Sequence, residues 1–402
     1  MESLDLNASV KSDVTVSRSS SLIANFKLDE DIDAETKDLF IVVDDPEKHT
    51  STLESYITFR VTTKTNRSEF EGCELSVRRR YNDFLWLRQR LEESYCTHLV
   101  PPLPAKHSLK RLDRFSNEFL RIRQAALQKF LTRLADHPVL SFDRNLHVFL
   151  TAKAWEFQSH KKQGSGILSR VTDSLHNMGA SYMMKNRPPE FVIMHDYTQT
   201  FGEKLGVMDR ISQRILKEAT DYLTEINEWA PCFTLWANSE DNLKPTLLAM
   251  SKTVEDCAKE LKDMLDCTDD NFAQPLKEYV LYTEAVKGVL RRRDAMQMEY
   301  DMIVEELGKK KEEREQLTQQ MDMLNDRMVV ANADLKADMD RWHINKQRDM
   351  KDIFLNMADR NIQYYEKCLE KWEAMVCNIQ VKEEKQETSV VTEDGLIVSN
   401  ST

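Results

Sequence analysis

Apolar and polar positions change their period along this chain. Leu39-Phe40-Ile41-Val42-Val43 is a short continuous apolar run, the pattern of a buried strand. Tyr56-Ile57-Thr58-Phe59-Arg60-Val61 and Cys73-Glu74-Leu75-Ser76-Val77 alternate with period two and predict two further strands. The period then lengthens, and Phe84, Leu85, Leu87 and Leu91 predict a helix over 82–93. A rigid stretch follows, Pro101-Pro102-Leu103-Pro104, and then two more helices, 116–136 and 143–157. These elements form a small α+β domain over residues 37–157.

Residues 158–187 read as a linker, with a break at Gly164-Ser165-Gly166. Within it Ile167, Leu168, Val171, Leu175, Met178 and Tyr182 fall inside an arc of about 100° on a helix. Lys161, Lys162, Lys185 and Arg187 flank that stripe. Such a stripe fits two roles: docking on the following helices, or lying in the headgroup layer of a membrane. From 188 to 380 the pattern is helical throughout, with no glycine in 207–287 or 309–394. Breaks near Pro231–Asp241 and Gly308–Glu312 divide it into helices over 190–234, 242–308 and 313–380, the second bent near Cys267–Pro275. At ~1.5 Å per residue the last two each span about 100 Å. In the third, Leu317, Met321, Leu324, Met328, Ala331, Leu335, Met339 and Trp342 recur at steps of three or four, the seam of a coiled-coil bundle. That pattern alone suits any elongated helical bundle. Residues 1–36 and 381–402 are polar and acidic and read as disordered tails.

No apolar run reaches the roughly 18–20 residues that span a bilayer, and the first ten residues lack a signal-peptide pattern, so the expected compartment is the cytosol. Seven scattered cysteines without a CxxC pair read as reduced thiols. The net charge of -12 hides a division. Residues 37–187 carry 25 basic and 17 acidic side chains, whereas 188–380 carry 26 and 38. A basic first half suggests contact with an anionic surface. The chain has no HExxH, P-loop, GxGxxG or GxSxG motif, so no catalytic residue, cofactor or metal is expected.

The densest chemistry is Arg78-Arg79-Arg80-Tyr81-Asn82-Asp83-Phe84, where the third strand meets the first helix. Guanidinium forks beside an aromatic face suit a phosphorylated inositol. Alone, an arginine triplet equally describes a solvated or nucleic-acid-facing run, although the acidic whole-chain charge disfavours nucleic acid. Lys106, Lys110, Arg111, Arg114, Arg121, Arg123, Lys129 and Arg133 add a basic stretch against only Asp113 and Glu118.

The ordered triplet, proline stretch with Lys106, and Arg123 resemble the PX family over residues 38–153. That resemblance implies that Arg80 clamps the 3-phosphate of phosphatidylinositol 3-phosphate and Tyr81 packs on the inositol ring. It also implies that Lys106 meets the 1-phosphate and Arg123 the 4- and 5-hydroxyls, with Arg79 supporting the fold. Arg121, two residues from Arg123, leaves the register open. The linker position resembles the membrane-inserting helix of PX-BAR sorting nexins. Tyr364-Tyr365, Lys371-Trp372-Glu373-Ala374, Glu278 to Tyr282 and Lys336 to Trp342 extend the resemblance to about residue 380. They resemble most closely the branch containing sorting nexin-7 and sorting nexin-30. The implied fold is an α+β PX domain followed by an all-α BAR domain, an elongated three-helix coiled-coil bundle that dimerises. The implied role is peripheral binding to early or recycling endosome membranes from the cytosolic face, sensing or forming tubules for sorting, recycling and autophagy. The implied partner is a second copy or another sorting nexin of the sorting nexin-4 type. A PX adaptor with a plain coiled coil, indifferent to curvature, is the competing reading.

Overall fold

The computed structural model describes residues 37–50, 55–106, 115–163, 187–309 and 314–394. Three strands, β1 (Leu39–Thr50), β2 (Ser55–Thr65) and β3 (Glu74–Arg80), form an antiparallel sheet in the order β1-β2-β3. Val43 faces Val61, which faces Val77, placing apolar side chains in register across one face. A bulge between Asp44 and Glu47 bends β1, and Asp45 takes a left-handed φ of 46° there, a conformation aspartate tolerates. The continuous apolar run in β1 predicts a buried strand, but not every position is buried. Leu39, Ile41 and Val43 are buried while Phe40 and Val42 are each 48% exposed, because helices cover only one side of the sheet.

Helix α1 (Tyr81–Ser94) starts directly at the end of β3 and buries Phe84, Leu87 and Leu91. Helix α2 (Asn117–Ala135) is capped by Ser116, whose side chain accepts from the Phe119 N–H at 3.2 Å. It packs along β1, and the Gln128 amide bridges that strand. Gln128 Oε1 accepts from the Val43 N–H at 2.6 Å and its Nε2 donates to the Ile41 carbonyl at 2.6 Å. The helix expected over 143–157 is two helices, α3 (Arg144–Thr151) and α4 (Ala154–Gln163). Ala152 between them is extended and turns its carbonyl toward Arg79. Phe84 meets Phe149 edge-on at 4.9 Å in the core.

The second domain holds α5 (Pro189–Ala237), α6 (Lys244–Thr268), α7 (Gln274–Lys309) and α8 (Arg314–Asp394). A π-helical turn, Asp269–Ala273, joins α6 to α7 at the expected bend. Pro231 does not end α5, which runs on to Ala237. The last helix continues past 380 to Asp394, into the region read as a tail. Leu317, Leu324, Ala331, Leu335, Met339 and Trp342 of the predicted seam are buried. Leu335, Met339 and Trp342 share one core with Phe191, Tyr279 and Val286, and Leu99 of the first domain inserts into it as well. Helices α5 and α7 approach closely at Gly202, where a Cβ would meet Thr283 Oγ1 at 3.0 Å.

Among the described residues, two apolar stripes stay uncovered. On α5, Met208, Ile215, Tyr222, Trp229 and Trp236 are exposed, one every seven residues. On α8, Leu355, Ile362, Leu369 and Val376 repeat the same interval, with Tyr365 and Trp372 beside them. A seven-residue apolar repeat is the signature of a helix that packs against another helix.

Candidate functional site

The arginine triplet divides its labour because a strand sends successive side chains to opposite faces. Arg78 points outward to the acidic bulge, reaching Asp45 Oδ2 at 2.9 Å and Glu47 Oε2 at 2.7 Å. Arg79 points inward and is 1% exposed. It donates to the carbonyls of Phe149 at 2.9 Å and Ala152 at 2.6 Å, with its guanidinium over the Phe157 ring at 4.2 Å. Burial lowers its pKa to about 10, so it stays charged at neutral pH. Arg79→Met would strand two carbonyls in the interior, each worth about 1–3 kcal/mol when unsatisfied. Chemical denaturation is expected to show a stability loss of roughly 2–4 kcal/mol. A loss within about 0.5 kcal/mol, as for an ordinary surface change, would contradict this structural role.

Arg80 stands at the strand–helix junction. Its backbone N–H donates to Asp83 Oδ2 at 2.9 Å, and its guanidinium lies over Tyr56 at 5.7 Å. Its Nε is buried and has no hydrogen-bond partner among the described residues. Asp83 is itself buried and holds Lys161 of α4 at 2.8 Å. Tyr81 donates its hydroxyl to the Pro104 carbonyl at 2.5 Å, fastening the proline stretch against α1. Arg123, from the first half of α2, stacks on Tyr81 at 4.2 Å and on Phe119 at 4.5 Å, and donates to the Ala105 carbonyl at 3.0 Å. Burial lowers the Arg123 pKa, countered by Tyr81; burial likewise raises that of Tyr81. Lys106 follows Ala105 directly and is exposed.

Tyr81 and Arg123 are joined by their stack and by the neighbouring Pro104 and Ala105 carbonyls, with Arg80 next to Tyr81 in the chain and Lys106 next to Ala105; this cluster is the candidate hollow. Its chemistry is two guanidinia and an ammonium around an aromatic rim, able to take a multiply charged phosphoester and hydroxyls. Arg121 and Arg123 diverge here, because two residues apart on a helix face nearly opposite ways. Arg121 pairs with Asp270 of the π-helical turn in the second domain, leaving Arg123 on the hollow. Tyr56 and Phe119 also border the site. Sequence reading missed them because strand alternation and helix periodicity mark Tyr56 and Phe119 only as ordinary apolar positions. Ile167, Leu168, Val171, Leu175 and Met178 lie outside the described residues.

The fold and this hollow define a PX module carried on an elongated BAR-type helical bundle. The PX domain model matches residues 67–153. The chain is similar to sorting nexin-30 of Mus musculus, at 48% identity over 371 residues, 92% of this chain and 84% of that one. It is similar to sorting nexin-7 of Homo sapiens at 44% over 358 residues, 89% of this chain and 92% of that one. The cryo-EM structure of the SNX-BAR Mvp1 tetramer matches with a TM-score of 0.59 at 18% identity, covering 84% of this chain and 99% of that one, a likeness of fold alone. Identity approaching half over most of both chains places this chain in the sorting nexin family. Sorting nexins are peripheral membrane proteins of endosomal compartments and act as adaptors without catalysis. Among the described residues no helix is long and apolar enough to cross a membrane.

Proposed function

We propose that this chain binds phosphatidylinositol 3-phosphate on early or recycling endosomes through Arg80, Tyr81, Lys106 and Arg123. In this reading it dimerises through its helical domain to sense or form tubules for sorting, recycling and autophagy. One observation carries the lipid assignment: Arg78 and Arg79 are consumed by close protein contacts, whereas the Arg80 Nε reaches Asp83 only at 3.8 Å, a carboxylate that Lys161 already holds at 2.8 Å, and Tyr81 next to it in the chain stacks with Arg123. A guanidinium so loosely paired keeps its charge for an arriving phosphate. The assigned roles are the 3-phosphate for Arg80, the ring face for Tyr81, the 1-phosphate for Lys106 and the distal hydroxyls for Arg123.

The uncovered seven-residue stripes on α5 and α8 support the dimer, since each demands a facing helix. Either a second copy or another sorting nexin, of the sorting nexin-4 type, would supply it. Curvature sensing is favoured over a plain coiled-coil adaptor by Arg210, Arg214 and Lys217, which share one side of α5 with Val207 and Ile211. The stripe from Ile167 to Met178 is proposed to insert between headgroups.

Co-sedimentation with vesicles tests the assignment. Vesicles carrying phosphatidylinositol 3-phosphate are expected to bind the chain at least about tenfold more tightly than equally charged vesicles carrying the 4-phosphate isomer, a difference near 1.4 kcal/mol. Equal binding to both would reduce the hollow to a nonspecific basic patch. Preference for small over large vesicles would favour the curvature-sensing reading over the adaptor.

A further inference from the structure

The two domains meet around one carboxylate. Asp338 of α8 has a side chain only 1% exposed, far too buried to be left unpaired. Its Oδ2 accepts from the Leu99 N–H at 2.6 Å and from His98 Nδ1 at 3.1 Å. Its Oδ1 takes His137 Nε2 at 3.1 Å and the guanidinium of Arg341 from its own helix. Three of these four donors belong to the PX domain. Burial alone would raise the Asp338 pKa; the hydrogen bonds from His137, His98 and Leu99 outweigh it and hold the carboxyl well below the usual range.

His98, His137 and Asp338 present ligand atoms within 4.8 Å of one another, which invites a metal ion. The tautomer of His137 argues otherwise. Its Nδ1 receives the backbone N–H groups of Val139 at 3.1 Å and Leu140 at 3.0 Å, so Nδ1 must hold the lone pair. The ring proton is then on Nε2, the atom a metal would need bare, and it points at Asp338. Arg341 adds a further positive charge at the same carboxylate. The cluster is built as a hydrogen-bonded joint.

A second set of contacts runs along α2, the helix whose first half carries Arg123. Arg133 Nε reaches Glu278 Oε1 at 2.6 Å and its Nη2 reaches Asp349 Oδ2 at 2.6 Å. Lys129 pairs with Glu278 at 2.9 Å, and Tyr279 donates to Asp349 at 2.7 Å. Burial works against the Arg133 charge, but Glu278 and the neighbouring tyrosines more than offset it. Arg292 of α7 donates to the Cys96 carbonyl at 2.7 Å, and Leu99 is buried in the helical core. The PX domain is therefore held from two sides, at the 96–99 loop and along α2.

We infer that Asp338 and Arg133 are positioning residues for membrane binding: they fix the direction in which the lipid hollow faces relative to the helical domain. This rests on the lipid reading proposed above. A headgroup bound in the hollow and a helical face on the bilayer are two attachments of one chain. Their affinities multiply only when the frame between them lets both engage together. Loosening the frame leaves each attachment intact and removes the gain from joining them.

The test uses the full chain with Asp338→Ala and, separately, Arg133→Met. Circular dichroism and light scattering establish that each variant keeps its helicity and assembly state. Three measurements follow: hydrogen exchange of the 96–99 amides, affinity for soluble inositol 1,3-bisphosphate, and affinity for vesicles carrying phosphatidylinositol 3-phosphate. Asp338→Ala is expected to speed exchange at Leu99, keep headgroup affinity within about twofold, and weaken vesicle binding about tenfold or more. Arg133→Met is expected to show the same split between headgroup and vesicle. Faster exchange with unchanged vesicle binding would overturn the positioning role. So would a parallel loss of headgroup and vesicle affinity, which would mean that these residues support the hollow itself. A wild-type chain that bound neither ligand would sink the lipid reading, and this inference with it.

Discussion

Arg80→Ala is expected to lose binding to vesicles carrying phosphatidylinositol 3-phosphate while the chain stays folded. A hydrogen bond to a charged group contributes about 1.5–3 kcal/mol, and a guanidinium can make two of them to one phosphate. The affinity should fall by roughly 10²-fold or more, since each 1.4 kcal/mol is tenfold. Among the described residues Arg80 Nε meets Asp83 only at 3.8 Å, and Lys161 holds that carboxylate at 2.8 Å as well, whereas Arg79 carries two buried carbonyls, so the unfolding midpoint should move far less than for a change at Arg79. Arg78→Ala is the matched control. It removes equal charge from the same strand, but Arg78 is committed to Asp45 and Glu47. Equal losses from both variants would show that charge density, and not the hollow, attracts the membrane.

The second large effect concerns assembly. Ile362→Glu combined with Trp372→Glu should convert the chain from a dimer to a monomer in sedimentation equilibrium. Burying a large apolar side chain contributes about 1.5–3 kcal/mol, and a twofold interface contains each position twice. The pair therefore costs roughly 6 kcal/mol or more in a homodimer, over 10⁴-fold in the dissociation constant. Both residues are exposed within the protomer, so neither substitution opens a cavity in its core. A wild-type chain that is monomeric under all conditions would remove the dimer reading. A variant that still dimerises would move the interface off the α8 stripe.

Much of this architecture was legible in the residue order because periodicity is local. The α8 seam from Leu317 to Trp342 and strands β2 and β3 follow from steps of two, three or four, and the interruption near Cys267–Pro275 marks the π-helical turn. Errors fell where a distant partner decides the outcome. The 143–157 segment looks like one helix until Arg79, seventy-three positions from Ala152, claims that residue's carbonyl. The helix expected over 190–234 runs three residues further, to Ala237, and Ala230 beside Pro231 is buried with its carbonyl taking the Ser251 hydroxyl of α6. The candidate lipid residues were found through three separated motifs. The joint between domains was not found: Glu278 and Asp338 lie in segments read only for their family resemblance, and His98, His137 and Asp349 lie in no motif. Their pairings span up to 240 positions, and only the folded chain brings them together.

The Gln128 side chain has a consequence for what the sheet can accept. Strand β1 is an edge, and an edge normally offers its unpaired peptide groups to any extended segment that drifts past. Here a primary amide satisfies the Val43 N–H and the Ile41 carbonyl as a neighbouring peptide unit would. The middle of the edge is thus occupied from within, by a group that cannot propagate pairing to a further strand. An extended cargo tail could not add there as a fourth strand, and two PX domains could not zip together along β1 into an aggregate. For a protein that crowds onto a membrane surface, that closed edge keeps neighbours from sticking sheet to sheet and leaves the helices to decide who assembles with whom.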